Sequence, residues 1–326
     1  MCKIQIVPLF LLVLIGCQKL QPNSIEVSKS KLPSIYIRID VPQKDSIYAD
    51  REYRAEAFAT IVTIECDTIY DDFIRIKTRG NSSWSQTKKP FSIQLATGMS
   101  LFDIPKTKDY ILLANVQDES FIRNAIAFDL AHRVGMLSPY YQHVRLFING
   151  EYIGIYQMTN KIKVGKRSVN IADLSKQNKI LNTQDIDEYP WFSHGKPREI
   201  GQIKGRLLEN NPDDITGGYL LDNTGMNWQY ERIESGFVSN AGDPVRITSP
   251  KYASLEQVTY ISDFYNQMES AILDSLGICQ QTGKHYTEYI DVESFAQYYA
   301  INELLCNEDA GLCSFFMYKD MVSTQK

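Results

Sequence analysis

The stretch HVRLFINGEYIGIYQM, residues 143–158, permits few conformations. Val144, Leu146 and Ile148 alternate before Asn149-Gly150, and Tyr152, Gly154 and Tyr156 alternate after it. Both central residues tolerate positive φ, so a type I′ turn joins two antiparallel strands here. Around this hairpin the chain reads as strands first and mostly helices later. LPSIYIRID places Ile35, Ile37 and Ile39 on one face of a half-buried strand. FIRIKTRG is a second strand and runs into a turn at Gly80-Asn81; KKPFSIQL is a third. DYILLANV is nearly continuous apolar sequence, as expected of a central strand.

A helix is expected from about Glu119 to Val134, capped by Asp118, with Ile122, Ala125, Ile126 and Leu130 as its apolar stripe. Ser254 opens another, with Gln257 at capping-box spacing and a stripe of Leu255, Val258, Ile261, Tyr265 and Met268. A last helix follows Asp291 and carries Phe295, Tyr298, Asn302 and Leu305. The polar segment 173–211 is long for a plain loop and reads as an insertion or lid. The order predicts an α+β architecture with a β-rich front and a helical back.

The first seventeen residues, MCKIQIVPLFLLVLIGC, read as an export signal: a lysine, a short apolar core, then a small residue and Cys17. The core is far short of the ~20 residues of a spanning helix. LIGC resembles a bacterial lipobox, which implies cleavage before Cys17 and lipidation of its thiol. Residues 18–31 then form a polar tether, and residues 32–326 the folded domain. Gln18 after the cysteine favours the outer membrane, by the same resemblance. Export implies an oxidising compartment. Of the remaining cysteines, Cys306 and Cys313 either pair across a short loop or serve as small buried hydrophobes. The net charge of −5 gives no general drive toward nucleic acid, and no nucleic-acid partner is expected.

Two stretches could carry chemistry. In RGNSSWSQTKKPFSIQL, Gly80 lets backbone approach a ligand, Asn81, Ser82 and Ser83 offer donors, and Arg79, Lys88 and Lys89 add positive charge. This is the outline of a loop covering phosphate, or else a polar turn with solvated lysines. It is neither a Walker A sequence nor a nucleophile elbow. In INELLCNEDAGLCSFFMYKD, residues 301–320, Asp309 stands between a helix and a strand, a good place for a general base or a metal ligand. His132, His143, His194 and His285 are scattered, and no zinc-binding spacing occurs.

In their order along the chain, RGNSSWSQTKKPFSIQL, DYILLANVQDESFIRNAIAFDLAHRVGMLSP, VRLFINGEYIGIYQMTNKI, GGYLLD and INELLCNEDAGLCSFFMYKD resemble the CotH family, the spore-coat-protein-H-like atypical kinases. The lipobox makes it similar to Bacteroidetes-type lipoprotein members. The resemblance implies a protein-kinase-like fold, ATP with Mg or Mn, and phosphate transfer to Ser or Thr of exported protein substrates. It matches Arg79, Gly80, Asn81, Ser82 and Ser83 to the family's signature loop. Lys88 and Lys89 match its basic pair, one of which would hold phosphate. Asp309 matches the Asp that accepts the substrate's hydroxyl proton. Arg79 and at least one of the two lysines are then expected to face the same cleft as Asp309.

Several positions depart from the family pattern. Asn160 stands where the family has Glu, Asp222 where it has Glu, and Lys251 where an acid is usual. A WDxD-like metal-binding segment is expected beyond Tyr318 and does not occur before Lys326. A truncated, impaired kinase is therefore one expectation, and a pseudokinase serving as a surface-anchored binding protein is the other. A lipoprotein hydrolase is a third reading, without carboxylate pairs to support it.

Overall fold

A computed structural model describes residues 31–194, 203–223, 233–312 and 314–321. The expected signal, the tether and Cys17 lie outside these residues, as does Cys313, on which the Cys306–Cys313 pairing would fall. In chain order the elements are β1 (Ser34–Arg38), α1 (Val41–Ala49), β2 (Ala55–Val62), β3 (Thr68–Thr78), α2 (Ser82–Ser85), β4 (Phe91–Leu101), β5 (Ile104–Leu113), α3 (Arg123–Arg133), β6 (Tyr141–Ile148), β7 (Glu151–Asn160), α4 (Leu174–Leu181), β8 (Trp191–His194), β9 (Ile203–Leu208), β10 (Tyr219–Asn223), β11 (Gly236–Val238), β12 (Pro244–Ser249), β13 (Ala253–Ser254), α5 (Leu255–Leu273), α6 (Val292–Leu304) and β14 (Phe315–Lys319). The class is α+β, as expected. The chain divides into two compact units, one running to Phe121 and joined by Tyr140–Lys161, the other comprising Ile122–Pro139 and the chain from Ile162 on.

In the first unit β1 to β7 close into a barrel in the order β1-β2-β3-β4-β5-β7-β6. Every pairing is antiparallel except the one that closes the barrel, β1 against β6. Among the described residues, closure leaves no edge of this sheet open to another chain. The inward residues of each strand form one apolar core, including Ile35, Ile37, Ile61, Ile74, Ile76, Phe91, Ile93, Tyr110, Leu112, Val144, Leu146, Tyr156 and Met158. The hairpin turn is as the sequence predicts, with Asn149 and Gly150 at φ 51° and 86°. The Asn149 side chain also clasps β1, accepting from Ile39 N at 2.9 Å and donating to Ile39 O at 2.8 Å.

Beyond the turn the expected alternation breaks. Leu146 pairs with Gly154 but Phe147 pairs with Tyr152, so Ile153 is the extra residue of a bulge. The bulge shifts the phase of β7: Tyr152 is exposed, whereas Tyr156 is fully buried.

The second unit is less purely helical than the sequence suggests. It holds α3 to α6, a four-stranded sheet ordered β11-β12-β10-β14 and a three-stranded sheet ordered β13-β9-β8. Its core gathers Leu174, Tyr219, Leu221, Phe237, Val245, Ile247, Val258, Ile261, Tyr265 and Met268. The capping box of α5 forms as predicted between Ser254 and Gln257. The segment 173–211, expected to be an insertion or lid, contains α4, β8 and β9, and buries Leu174, Asn178 and Asn182. Asn178 and Gln257 exchange two amide hydrogen bonds, at 2.8 and 2.9 Å, so a polar pair is satisfied in the interior.

The helix α3 begins at Arg123 rather than near Glu119. Phe121 takes a left-handed φ of 61°, which a helix cannot include. Asp118 is not the cap; its carboxylate accepts from Ser120 N and Oγ in a local turn. Ala125 and Ala131 form the buried face of α3, and Ile122 and Ile126 remain exposed.

Candidate functional site

The loop after β3 is locked by its neighbours in the barrel unit. Arg79 N donates to Pro90 O at 3.0 Å, extending the β3–β4 ladder past Thr78 and Phe91. Gly80 has φ 97°, a conformation that strains any L side chain, and a Cβ there would also displace Ser83 Oγ, which lies 2.2 Å away. Arg51, a residue the sequence does not single out, donates to Gly80 O at 3.1 Å and to Asn81 Oδ1 at 2.7 Å. Trp84 Nε1 donates to Thr78 Oγ1 at 2.9 Å, which in turn donates to Ile47 O. Asn81 thus spends its side-chain oxygen on Arg51. Ser82 is exposed and Ser83 partly so.

Lys88 and Lys89 both have protein partners. Lys89 Nζ donates to Trp84 O and lies 4.5 Å from the Trp84 ring centroid. Lys88 Nζ donates to Ala114 O and Ile155 O, at 2.9 and 2.5 Å, and sits 4.5 Å from the ring centroids of both Phe121 and Tyr156. Burial lowers the Lys88 ammonium to about 8. A Cβ on Gly154 would approach Lys88 Cε to 3.2 Å, so glycine at the bulge makes room for this side chain. Neither lysine has a carboxylate partner among the described residues.

The outer face of β3 carries a different set of cations. Ile74, Ile76 and Thr78 point inward and are buried, so Arg75, Lys77 and the following Arg79 fall on the outer side. Across the ladder, Arg75 pairs with Gln94 and Gln94 with Asp109. Gln94 Nε2 donates to Asp109 Oδ1 at 2.8 Å, and Lys161 N donates to Asp109 O at 3.1 Å. Lys77 pairs with Glu52 at 3.0 Å. Crowding by protein holds the exposed Lys161 ammonium below its ordinary range; Asp109 opposes this shift, and Arg79, Arg54 and Lys77 add to it. The Arg54 guanidinium is lowered likewise, by burial first and then by Arg75, against Asp109 and Glu52. Arg54, Asp109 and Lys161 are not candidates by sequence alone, although the spacing Arg75-x-Lys77-x-Arg79 already marks one cationic strand face.

In the second unit Asp309 lies in the turn between α6 and β14. Asp291 caps α6, accepting from Glu293 N and Ser294 N. Cys306, at φ 50°, turns the chain out of the helix. Asn307 Nδ2 donates to Asn302 Oδ1 at 2.7 Å, and Asp309 N donates to Asn307 Oδ1 at 3.3 Å. Gly311 N donates to Tyr298 Oη at 3.2 Å, and Asn223 Nδ2 donates to Gly311 O at 3.2 Å. The turn is therefore fixed through its backbone, and the Asp309 side chain is exposed. No side chain among the described residues hydrogen-bonds or pairs with its carboxylate. Such a group is free to accept a proton from an incoming hydroxyl.

A family model described as CotH kinase protein matches residues 76–324. The chain belongs to the CotH kinase family. The matched region includes the Arg79–Lys89 loop, Lys161 and Asp309, while Arg51 and Arg54 precede it. No curated protein sequence matches the chain.

CotH membership implies use of ATP and a divalent cation in general. Among the described residues no three His, Cys, Asp or Glu side chains gather as metal ligands. The positions that depart from the CotH pattern have structural partners. Asn160 is buried and its Oδ1 accepts from Tyr140 N at 2.8 Å. Asp222 is buried opposite Arg246 on the neighbouring strand, and the two form an ion pair. Lys251 reaches Glu234 at 4.0 Å. His132 and His143 contact the carbonyls of Ser138 and Phe121, and His285 caps a turn, so none of these three belongs to a cluster. No helix among the described residues is long and apolar enough to cross a membrane.

Proposed function

We propose that this CotH family member is a protein kinase that transfers the γ-phosphate of ATP to Ser or Thr hydroxyls of exported proteins, on a diverged kinase-like fold. The observation that carries the reading is the family match, which spans both the Arg79 loop and Asp309. The cationic strand face beside Arg79 supports it, because phosphoryl transfer needs positive charge against the phosphates. Mg or Mn would enter with the nucleotide, held largely by phosphate oxygens, and would neutralise charge on the β- and γ-phosphates.

In this reading Arg79 contacts the phosphates and Gly80, Asn81, Ser82 and Ser83 shape the loop over them. Asp309 accepts the acceptor hydroxyl's proton as its oxygen bonds to the γ-phosphorus. The bond from that phosphorus to the bridging oxygen breaks, and ADP leaves.

Export and anchoring by lipid at Cys17, in the outer membrane, complete the proposal. The lipobox sequence supports this part. Cys17→Ser is expected to move the protein from the membrane fraction to the soluble one; unchanged membrane retention would exclude the anchor.

A binding protein without transfer is the second reading. Asn160 favours it, because an amide bonded to Tyr140 cannot neutralise a lysine as the family's Glu would. Incubation with γ-labelled ATP, Mg or Mn and exported proteins separates the two. Labelled phosphoserine or phosphothreonine, lost in Arg79→Met, is expected. Saturable ATP binding without transfer would establish the second reading, and no ATP binding would overturn both.

A further inference from the structure

We infer that Lys161, rather than Lys88 or Lys89, is the lysine that grips a phosphate chain, on the outer face of the barrel beside Arg79, Arg54 and Lys77. The anion site itself follows from the arrangement of side chains. Only its occupation by a nucleotide rests on the kinase reading.

The first argument is an accounting of ammonium groups. Lys88 is enclosed by two carbonyls and two aromatic faces. Lys89 is turned onto Trp84, and Lys77 is paired with Glu52. Lys161 is exposed, and its ammonium makes no hydrogen bond or ion pair among the described residues. A cation so placed has donors to offer a ligand, whereas moving Lys88 would strand two carbonyls.

The second argument is position. Lys161 directly follows β7, and its backbone N–H is tied to Asp109 O. The preceding register, Asn160 opposite Tyr110, fixes where the side chain leaves the barrel. Its base is thus held by strand pairing, which limits the entropy lost when the ammonium meets an anion.

The third argument is charge. Arg79, Arg54 and Lys77 all act on Lys161 in the same repulsive sense, and Asp109 is the carboxylate that acts against them. Like charges brought together disfavour their own ionisation, and a bound anion reverses the sign of that effect. Asn160 gives no relief, since its side chain is neutral and bonded to Tyr140 N. A linear polyphosphate, either inorganic or as the tail of a nucleoside triphosphate, suits the cations that Arg54, Lys77, Arg79 and Lys161 bring together from separate segments on the outer side of the barrel.

The test is calorimetric titration of the full chain with inorganic tripolyphosphate and separately with ATP and Mg, from pH 7.5 to 10. Lys161→Met should weaken tripolyphosphate binding at least tenfold without lowering the melting temperature, because crowding and three neighbouring cations disfavour the ammonium in the unliganded protein. Lys161→Arg should restore binding. It should also keep it to higher pH than wild type, whose ammonium deprotonates below the usual lysine range. Binding of ATP weakened by the same substitution extends the site to a nucleotide. Tripolyphosphate binding that depends on Lys161, with no ATP binding, leaves the anion site standing and removes the nucleotide reading. ATP binding unaffected by Lys161→Met overturns the inference and leaves the kinase reading intact. No binding of either anion by wild type overturns the inference.

Discussion

The two units hold their candidate residues in opposite ways. In the barrel, Arg75, Lys77 and Arg79 stand on or just after a strand whose inward neighbours Ile74, Ile76 and Thr78 are buried. The pleat sets the direction of each cation, and the closed ladder sets its position. Asp309 instead occupies an exposed turn held by a few polar contacts from Asn307, Tyr298 and Asn223. One set of candidate residues is thus held by packing, the other by hydrogen bonds to backbone. Damage to the barrel should appear as lost stability, and damage around Asp309 as lost activity with the fold intact.

The sharpest way to break this contrast is to cut one apolar side chain from each unit. Ile76→Ala removes a fully buried side chain beside Lys77, and should cost about 2–5 kcal/mol in chemical denaturation. Leu304→Ala, at the exposed end of α6, should stay within about 0.5 kcal/mol. Equal losses would mean that the end of α6 next to the Asp309 turn is as tightly packed as the barrel core.

A smaller effect is expected at Tyr298. Its hydroxyl accepts from Gly311 N and its ring lies 4.7 Å from that of Phe315. Tyr298→Phe keeps the ring and should cost about 1 kcal/mol in stability. If Asp309 depends on this turn, phosphate transfer should fall several-fold in the same variant. Full activity would show that the turn holds without that bond.

A further effect is a slope with pH. The Lys88 ammonium loses its proton at about 8 in the folded chain, whereas an unfolded lysine holds it to about 10.5. Between these values the unfolded state binds more protons, so this group's contribution to stability rises with pH and is lost again as pH falls through 8. Wild type should therefore gain melting temperature relative to Lys88→Met from pH 8 to 10. A parallel course would place Lys88 in open solvent, contrary to its two carbonyl and two aromatic contacts.

Local patterns carried far in this chain, and long-range partners marked their limit. Asn149-Gly150 announces its turn, and Ser254 with Gln257 its cap, because both signals lie within four residues. The closure of the barrel is invisible locally, since Ile35 meets Leu146 across more than a hundred residues. The bulge at Ile153 depends on Gly154 clearing Lys88, a contact that no alternation of Tyr152 and Tyr156 can express. Lys88 itself reads as a surface charge until Phe121 and Tyr156 are brought over it. The Arg79 loop was legible from its Gly80 turn and clustered charge. Lys161 was overshadowed by Asn160, the more conspicuous departure next to it. Asp309 acquires meaning only through the family resemblance, because its exposed turn bears no distinguishing local pattern.

The central claim is that Asp309 takes the proton in a CotH-type phosphate transfer. Its most direct test is the initial rate of transfer from γ-labelled ATP to a protein hydroxyl by wild type and by Asp309→Asn, with ATP affinity and melting temperature measured on the same samples. A side chain without a protein partner can be changed without unfolding the chain, and loss of a general base typically costs roughly 10²–10⁴ in rate. The account predicts a fall of that size with ATP affinity and melting temperature unchanged. Equal rates in the two proteins, with wild type active, would contradict it.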